Sequence, residues 1–227
     1  MSFPYLDLTS CHSAAGLVIV IDVIRAFTSA AFIFGQGAQQ IIPVGTVEEA
    51  LDLKRRIPGA LACGEVKGLP PPGFDFGNSP TQALTLDLAG RTVIQRTSAG
   101  TQGVVGSTRA GQMLVASFVV AAATVRYIRL LAPAAVSFVV TGRRAAGGDE
   151  DLACAEYLAA CLDGQTPDPG PYLDRVRRCP DAQLILDPAR PEFPETDLLH
   201  CTSLDRFDFA MPVSRENGYH VIRKVHP

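Results

Sequence analysis

Short apolar, β-branched runs alternate along this chain with longer stretches in which apolar residues recur at helical spacing. Leu17–Val23, "LVIVIDV", predicts a strand buried on both faces, followed by a helix over Arg25–Phe34 that ends at Gly35 and Gly37. Ile41–Val44 predicts a strand, and Thr46 caps a helix through Arg56, with Glu49 three residues on as in a capping box. Leu61–Gly64, Arg91–Gln95, Met113–Ala116 and Ala135–Val140 read as further strands, and Gly100–Thr108, Val119–Leu131 and Asp149–Leu162 as helices. Ser79 can cap another helix with Pro80 at its first position, where the missing N–H costs nothing. Parallel strands need crossover connections, so the alternation predicts a three-layer α/β/α fold with a mainly parallel sheet that admits mixed pairing. After Gly164 the pattern changes: "GQTPDPGP" is a joint, and two strands are expected around "FDFAMPV" and "YHVIRKV", with "ENG" as their turn. The expectation is one domain over 1–227, with a core over about 14–163 and a peripheral C-terminal segment over about 164–227.

Composition narrows the function classes. The 227 residues are 47% hydrophobic and 19% charged, the balance of an enzyme-sized globular chain. A net charge of −3 argues against nucleic acid as the main partner, because phosphate-backbone binding needs a basic face. The opening "MSFPYLDLTS" lacks the basic-then-apolar pattern of a secretory leader, and the apolar run Met113–Val125 is too short to span a bilayer. A soluble, cytoplasmic protein is expected, without a membrane partner; a homo-oligomer is compatible with the sequence, which does not specify it. The six cysteines include no C-x-x-C pair, and Cys154 and Cys161 share one helical face as a reduced apolar stripe.

Ligands of open α/β sheets bind beyond the carboxyl ends of the strands, and the unusual residues of this chain fall there. The first long strand leads into Asp22 and Arg25. The strand ending at Gly64 leads into Glu65 and Lys67, then into "GFDFGNSP", Gly73–Pro80, with Asp75 and Asn78. The next leads into "RTSAGTQG", Arg96–Gly103; another ends at Ser117; the last leads into "TGRRAAGGDED", Thr141–Asp151. Exits that repeatedly carry acids, arginines or glycine turns predict one pocket.

In "RTSAGTQG", Thr97, Ser98, Gly100 and Thr101 can offer amides and hydroxyls to a phosphate, with Arg96 adding a bidentate fork; the same residues would also make an ordinary glycine turn. In "GFDFGNSP", Phe74 and Phe76 would anchor an extended loop while Asp75 and Asn78 face the ligand, or Asn78 and Ser79 would only cap a helix. Asp22 ends a buried strand, where a carboxylate must be paired, with Arg25 for instance, or bound to metal. Glu65 is either a site acid or a solvated loop acid. Asp149, Glu150 and Asp151 either complement a helix dipole or gather a divalent cation that relieves their repulsion. Oxygen-only donors suit Mg²⁺, and Asp22, Glu65, Glu150 and Asp151 are the candidate ligands. The four histidines lie in the terminal segments and receive no role, and neither a cysteinyl-phosphate nor an aspartyl-phosphate signature is present.

Taken together, "DVIRAFTSA" at 22–30, "GEVKG" at 64–68, "GFDFGNSP" at 73–80, "TSAGT" at 97–101 and "DEDLACAEYL" at 149–158 make the chain resemble the 2-phosphosulfolactate phosphatase family. The resemblance implies a three-layer α/β/α fold, Mg²⁺ dependence, and hydrolysis of a sulfonated phosphoester on a route towards coenzyme M. It also implies functional roles for Asp22, Arg25, Glu65, Asp75, Asn78, Ser79, the 97–101 turn, Glu150 and Asp151. Phe27, Val66-Lys67 and Gly147-Gly148-Asp149 depart from the family pattern, which bears on the substrate more than on the chemistry. Metal-assisted phosphoryl transfer to water is therefore expected, with Asp22, Arg25, Glu65, Asp75 and Arg96 as catalytic candidates and a small anionic phosphoester as the substrate. Two rival readings are a phosphosugar- or nucleotide-binding module without catalysis, and a Mg²⁺-dependent lyase or isomerase of a phosphorylated acid.

Overall fold

A strand that is apolar on both faces needs cover on both sides, and β2 (Leu17–Ile21) receives it. Leu17, Ile19 and Ile21 point into one apolar cluster, while Val18 and Val20 point into another. The structure, a computed structural model, describes residues 3–142 and 149–227. Its first half comprises β1 (Tyr5–Leu6), β2, α1 (Ala26–Gly35), β3 (Gln40–Pro43), α2 (Val47–Arg56), β4 (Leu61–Gly64), α3 (Pro80–Ala83), β5 (Thr92–Arg96) and α4 (Gly100–Gly106). The chain continues through β6 (Gln112–Ala116), α5 (Ala121–Leu131), β7 (Val136–Val140), α6 (Asp149–Leu162), α7 (Gly170–Arg178), α8 (Pro180–Ile185), α9 (Thr196–Cys201), β8 (Met211–Glu216) and β9 (Tyr219–Ile222). The helix starts follow local chemistry: the Thr46 hydroxyl accepts the Glu49 amide at 3.1 Å, and the Ser79 hydroxyl accepts the Gln82 amide at 3.1 Å ahead of Pro80.

The nine described strands form one sheet in the order β1-β7-β2-β6-β8-β9-β3-β5-β4. The α/β class and the mainly parallel sheet agree with the sequence, but the C-terminal hairpin does not lie at the periphery. β8 pairs antiparallel with β6, and β9 pairs antiparallel with β3, so the hairpin joins two parallel half-sheets at the centre. Three successive antiparallel pairings also make the two halves run in opposite directions.

In a flat sheet the five steps from β2 to β5 would span about 24 Å. Gln95 at the end of β5 nevertheless donates its side-chain amide to the Ala26 carbonyl, just beyond β2, at 2.9 Å. The sheet is therefore strongly coiled. Twist of roughly 20–25° per strand turns opposed half-sheets through about 100–125° over those five steps, enough for their carboxyl ends to converge. The concave side is filled by α1, a helix buried all round, which shares one apolar cluster with inward-facing residues of both halves, such as Val18 and Val93. On the outer side α5, α6 and α7 cover the β1-β7-β2-β6 half, and α2 covers β3 and β5. All six cysteines are free. Among the described residues, no helix is long and apolar enough to cross a membrane.

Candidate active site

The convergence of strand ends makes a cavity of about 480 Å³. Asp22 and Arg25 enter it from β2, Glu65 and Lys67 from β4, Ser98 and Ala99 from β5, and Thr141 and Gly142 from β7. The exit of β6 does not contribute: Ser117 is fully buried, and its hydroxyl has no partner among the described residues. The Arg143-Arg144 and Gly147-Gly148 parts of the last exit lie outside the described residues.

Asp22 is buried at the end of β2. Its Oδ1 accepts the Ala26 amide at 2.8 Å, closing the turn into α1. Its Oδ2 faces Gly100, where an added Cβ would lie 2.7 Å from that oxygen and 2.7 Å from the Ala26 Cβ; only glycine lets α4 start so close. Burial first, then the charges of Glu65, Glu150 and Asp181, pushes the Asp22 carboxyl up to about 7, against a single opposing hydrogen bond.

Glu65 is a hub: its carboxylate accepts the Gly68 amide at 2.7 Å, the Ser98 amide at 2.5 Å and the Ser98 hydroxyl at 3.1 Å. It ties the β4 loop to the β5 turn. Asp151 does the same for β2 and β7. It accepts the Val23 amide at 2.6 Å, the Gly142 amide at 2.8 Å and the Thr141 hydroxyl at 3.1 Å, and burial raises its pKa. Glu150 differs from both. It is 2% exposed, its Oε2 has no hydrogen-bond partner among the described residues, and burial raises its pKa. Neither Glu150 nor Asp151 is part of the cavity lining, whereas Asn78 lines it with a buried Oδ1 that lacks a partner among the described residues.

Two expected catalytic residues are not brought to the pocket. Asp75 accepts the Ala62 amide at 2.7 Å and pairs with Lys54 at 2.8 Å, which fastens the 73–80 loop to α2. In that loop Phe76 is buried as expected, so Asn78 is the polar residue that reaches the cavity. Arg96 donates to the Glu65 carbonyl at 2.7 Å, so its fork holds a loop rather than an anion. The turn that follows β5 is likewise largely self-satisfied. Thr101 Oγ1 accepts the Thr97 amide at 2.8 Å, Thr97 Oγ1 accepts the Thr101 amide at 3.0 Å, and the Ser98 amide is held by Glu65. That leaves the Ala99 and Gly100 amides of this turn uncommitted among the described residues, Ala99 on the cavity lining and Gly100 buried just behind it. Ser79 caps α3 and donates to Asp197 at 2.8 Å, outside the cavity lining.

Sequence reasoning missed the far wall, which comes from the C-terminal segment. Asp181, Leu184, Ile185, Arg190 and Phe193 line the cavity. Arg25 and Arg190 both lie over the Phe193 ring, 4.9 and 4.8 Å from its centroid, and a Cβ on Gly68 would come within 2.8 Å of the same ring. Arg25 itself pairs at 2.8 Å with Asp197, which is fully buried. The sequence signal available was a composition change after Gly164, and it pointed to a joint rather than to a wall. Among the described residues, no group of three or more His, Cys, Asp or Glu side chains is set to hold a metal ion.

A coiled α/β sheet whose strand ends gather acids and guanidinium groups around one cavity defines an enzyme for an anionic substrate. Residues 5–183 match the family model described as 2-phosphosulpholactate phosphatase. The chain is 33% identical over 213 residues to a "Probable 2-phosphosulfolactate phosphatase" of Bacillus subtilis, covering 93% of this chain and 92% of that one. Proteins of the same name from Thermoplasma acidophilum (33% over 166 residues, 73% and 74% of the two chains) and Deinococcus radiodurans (36% over 171 residues, 72% and 70%) are also similar. The chain belongs to the 2-phosphosulfolactate phosphatase family and is a phosphatase.

Proposed function

We propose that the protein hydrolyses the phosphate monoester of a small sulfonated or carboxylated hydroxy acid, with 2-phosphosulfolactate the foremost substrate, in a Mg²⁺-dependent reaction. The observation that carries this reading is the cavity itself. Three acids, Asp22, Glu65 and Asp181, share it with three cationic side chains, Arg25, Lys67 and Arg190, so it offers cationic groups to both anionic ends of such a substrate.

The donor set fits Mg²⁺. Glu150 holds a buried carboxylate oxygen without a partner, Asn78 a buried amide oxygen without one, and Asp22 an oxygen turned away from its single amide donor. Mg²⁺ commonly takes one or two carboxylates and completes its shell with water and phosphate, so a three-acid cage is not required. Asp22 and Glu150 would hold it, and when bound it would neutralise phosphoryl oxygens and the developing alkoxide charge. Glu65 and Asp151, each fixed by three donors, keep the surrounding loops in register.

The remaining chemistry belongs to the chain. Arg25 and the Ala99 and Gly100 amides hold the phosphoryl oxygens as charge shifts, and Lys67 and Arg190 hold the sulfonate or carboxylate. A water oxygen bonds to phosphorus while the bond to the substrate's alcohol oxygen breaks, and that oxygen leaves as the protonated alcohol. Incubation with 2-phosphosulfolactate and with simple phosphoesters, in Mg²⁺ or in EDTA, tests the proposal by phosphate release. Release from 2-phosphosulfolactate in Mg²⁺, abolished by EDTA, is expected. Equal release in EDTA, or none from this substrate, would remove the proposal.

A further inference from the structure

Asp197 lies in α9, beyond the 5–183 span of the family match, and none of the strand-end logic points to it. It is fully buried, and both of its carboxylate oxygens are engaged. Oδ2 accepts Arg25 Nη1 at 2.8 Å. Oδ1 accepts the Ser79 hydroxyl at 2.8 Å and the Thr81 amide at 3.0 Å. It does not line the cavity, whereas Arg25 does, with Phe193 stacked against the guanidinium 4.9 Å away.

Those two arms do different work. The Oδ1 arm fastens α9 to the start of α3, a tie between elements. The Oδ2 arm adds nothing to that tie; it fixes one end of a guanidinium whose other donors remain for the pocket. An arginine alone on a loop would sample many rotamers, and ordering it would weaken every contact it makes to an anion. We propose that Asp197 is the positioning residue of the active site, holding Arg25 in the orientation that receives the phosphoryl group. Through it the C-terminal segment governs anion binding. The inference rests on reading the cavity as the phosphoester site.

Asp197→Asn separates the two arms. The amide oxygen can still accept from Ser79 and Thr81, while the amide nitrogen meets Arg25 donor to donor. Inorganic phosphate, a product of any phosphatase, is the probe, measured by titration calorimetry and as a competitive inhibitor. This makes the result independent of which phosphoester is natural. A folded Asp197→Asn variant should bind phosphate roughly tenfold or more weakly, the size of a lost hydrogen bond between charged groups, with KM rising more than kcat falls. In an Arg25→Met background, adding Asp197→Asn should leave phosphate affinity unchanged and raise the melting temperature, because it removes a stranded buried carboxylate.

Asp197→Glu, which keeps the charge but shifts it by one methylene, decides the matter if Asp197→Asn does not fold; the same weakening is expected. A folded variant of either kind with wild-type phosphate affinity, or an additive loss in the Arg25→Met background, would overturn the proposal. So would a wild-type protein that binds no phosphate, whereas failure with 2-phosphosulfolactate alone would count only against the proposed substrate.

Discussion

At the scale of single residues, the site depends on a missing side chain as much as on the charged ones. Gly100 admits the start of α4 to within contact of Asp22 and Ala26, and a methyl group there would lie 2.7 Å from each. Neither neighbour can yield easily, since Asp22 is pinned by the Ala26 amide and both are buried. Gly100→Ala should therefore lower stability by about 1–3 kcal/mol, the usual cost of overpacking. It should also cut turnover by roughly 10–100-fold through displacement of Asp22. Urea denaturation and steady-state kinetics on the same preparation check both, and a variant with unchanged kinetics would show that Asp22 need not stay where it is. The charged residues were legible to different degrees. Asp22, Arg25 and Glu65 could be picked out because charge at the end of a buried strand has few other uses. Arg96 and Asp75 satisfied the same criterion, but sequence does not reveal which way a side chain turns. One went to the Glu65 carbonyl and the other to Lys54. Asp197 was not legible at all, because its partners are 172 and 118 residues away.

At the scale of elements, the sequence located the long strands and helices to within a few residues, because continuous apolar runs and helix caps are local signals. It did not locate β1, α7, α8 or α9. β1 has only two residues, and proline lies within or just before the start of α7 and α8, in a stretch whose composition reads as a joint. The hairpin of β8 and β9 was anticipated but placed at the edge. Chain position carries no information about sheet order, and a strand late in sequence can be central in space. This has an energetic consequence. Met211, in β8, is fully buried in the same cluster as α1. Met211→Ala should cost about 2–5 kcal/mol, as in a core, rather than the few tenths typical of a surface segment. Equilibrium urea unfolding measures this, and a loss below about 1 kcal/mol would mean the hairpin is loosely held.

At the scale of the whole molecule, buried acids link stability to pH. Asp22 is pushed up to about 7 from 3.8, and burial moves Glu150 and Asp151 in the same direction. The folded protein thus holds these protons more tightly than the unfolded chain does. The Asp22 contribution to stability is complete below pH 3.8 and is lost as pH rises through about 7, and those of Glu150 and Asp151 change in the same direction. Asp7 and Asp149, whose pKa values are lowered by hydrogen bonds, contribute above 3.8 and lose that contribution in acid, outside the window of the effect. His200 and His220, lowered by burial, contribute above 6.5 and offset part of it as pH falls below that value. In EDTA, the melting temperature should fall between pH 5 and 8 by roughly 4–8 °C, corresponding to about 2 kcal/mol for a chain of this size. Excess Mg²⁺ should restore most of that loss at pH 8 and little at pH 5. Differential scanning calorimetry at both pH values tests it; a pH-independent melt would show that the acids are already compensated within the protein.

The order of the strands also fixes the order in which the molecule can be completed. Each parallel half-sheet is built from residues that precede Met211, yet β6 and β3 stay unpaired along their inner edges until Met211–Ile222 has been synthesised. During translation the chain therefore carries two exposed, sticky strand edges that only its own late hairpin can close. The segment that seals the sheet comes shortly after the one that walls the catalytic cavity, so a ribosome still short of Asp181 holds a protein with neither.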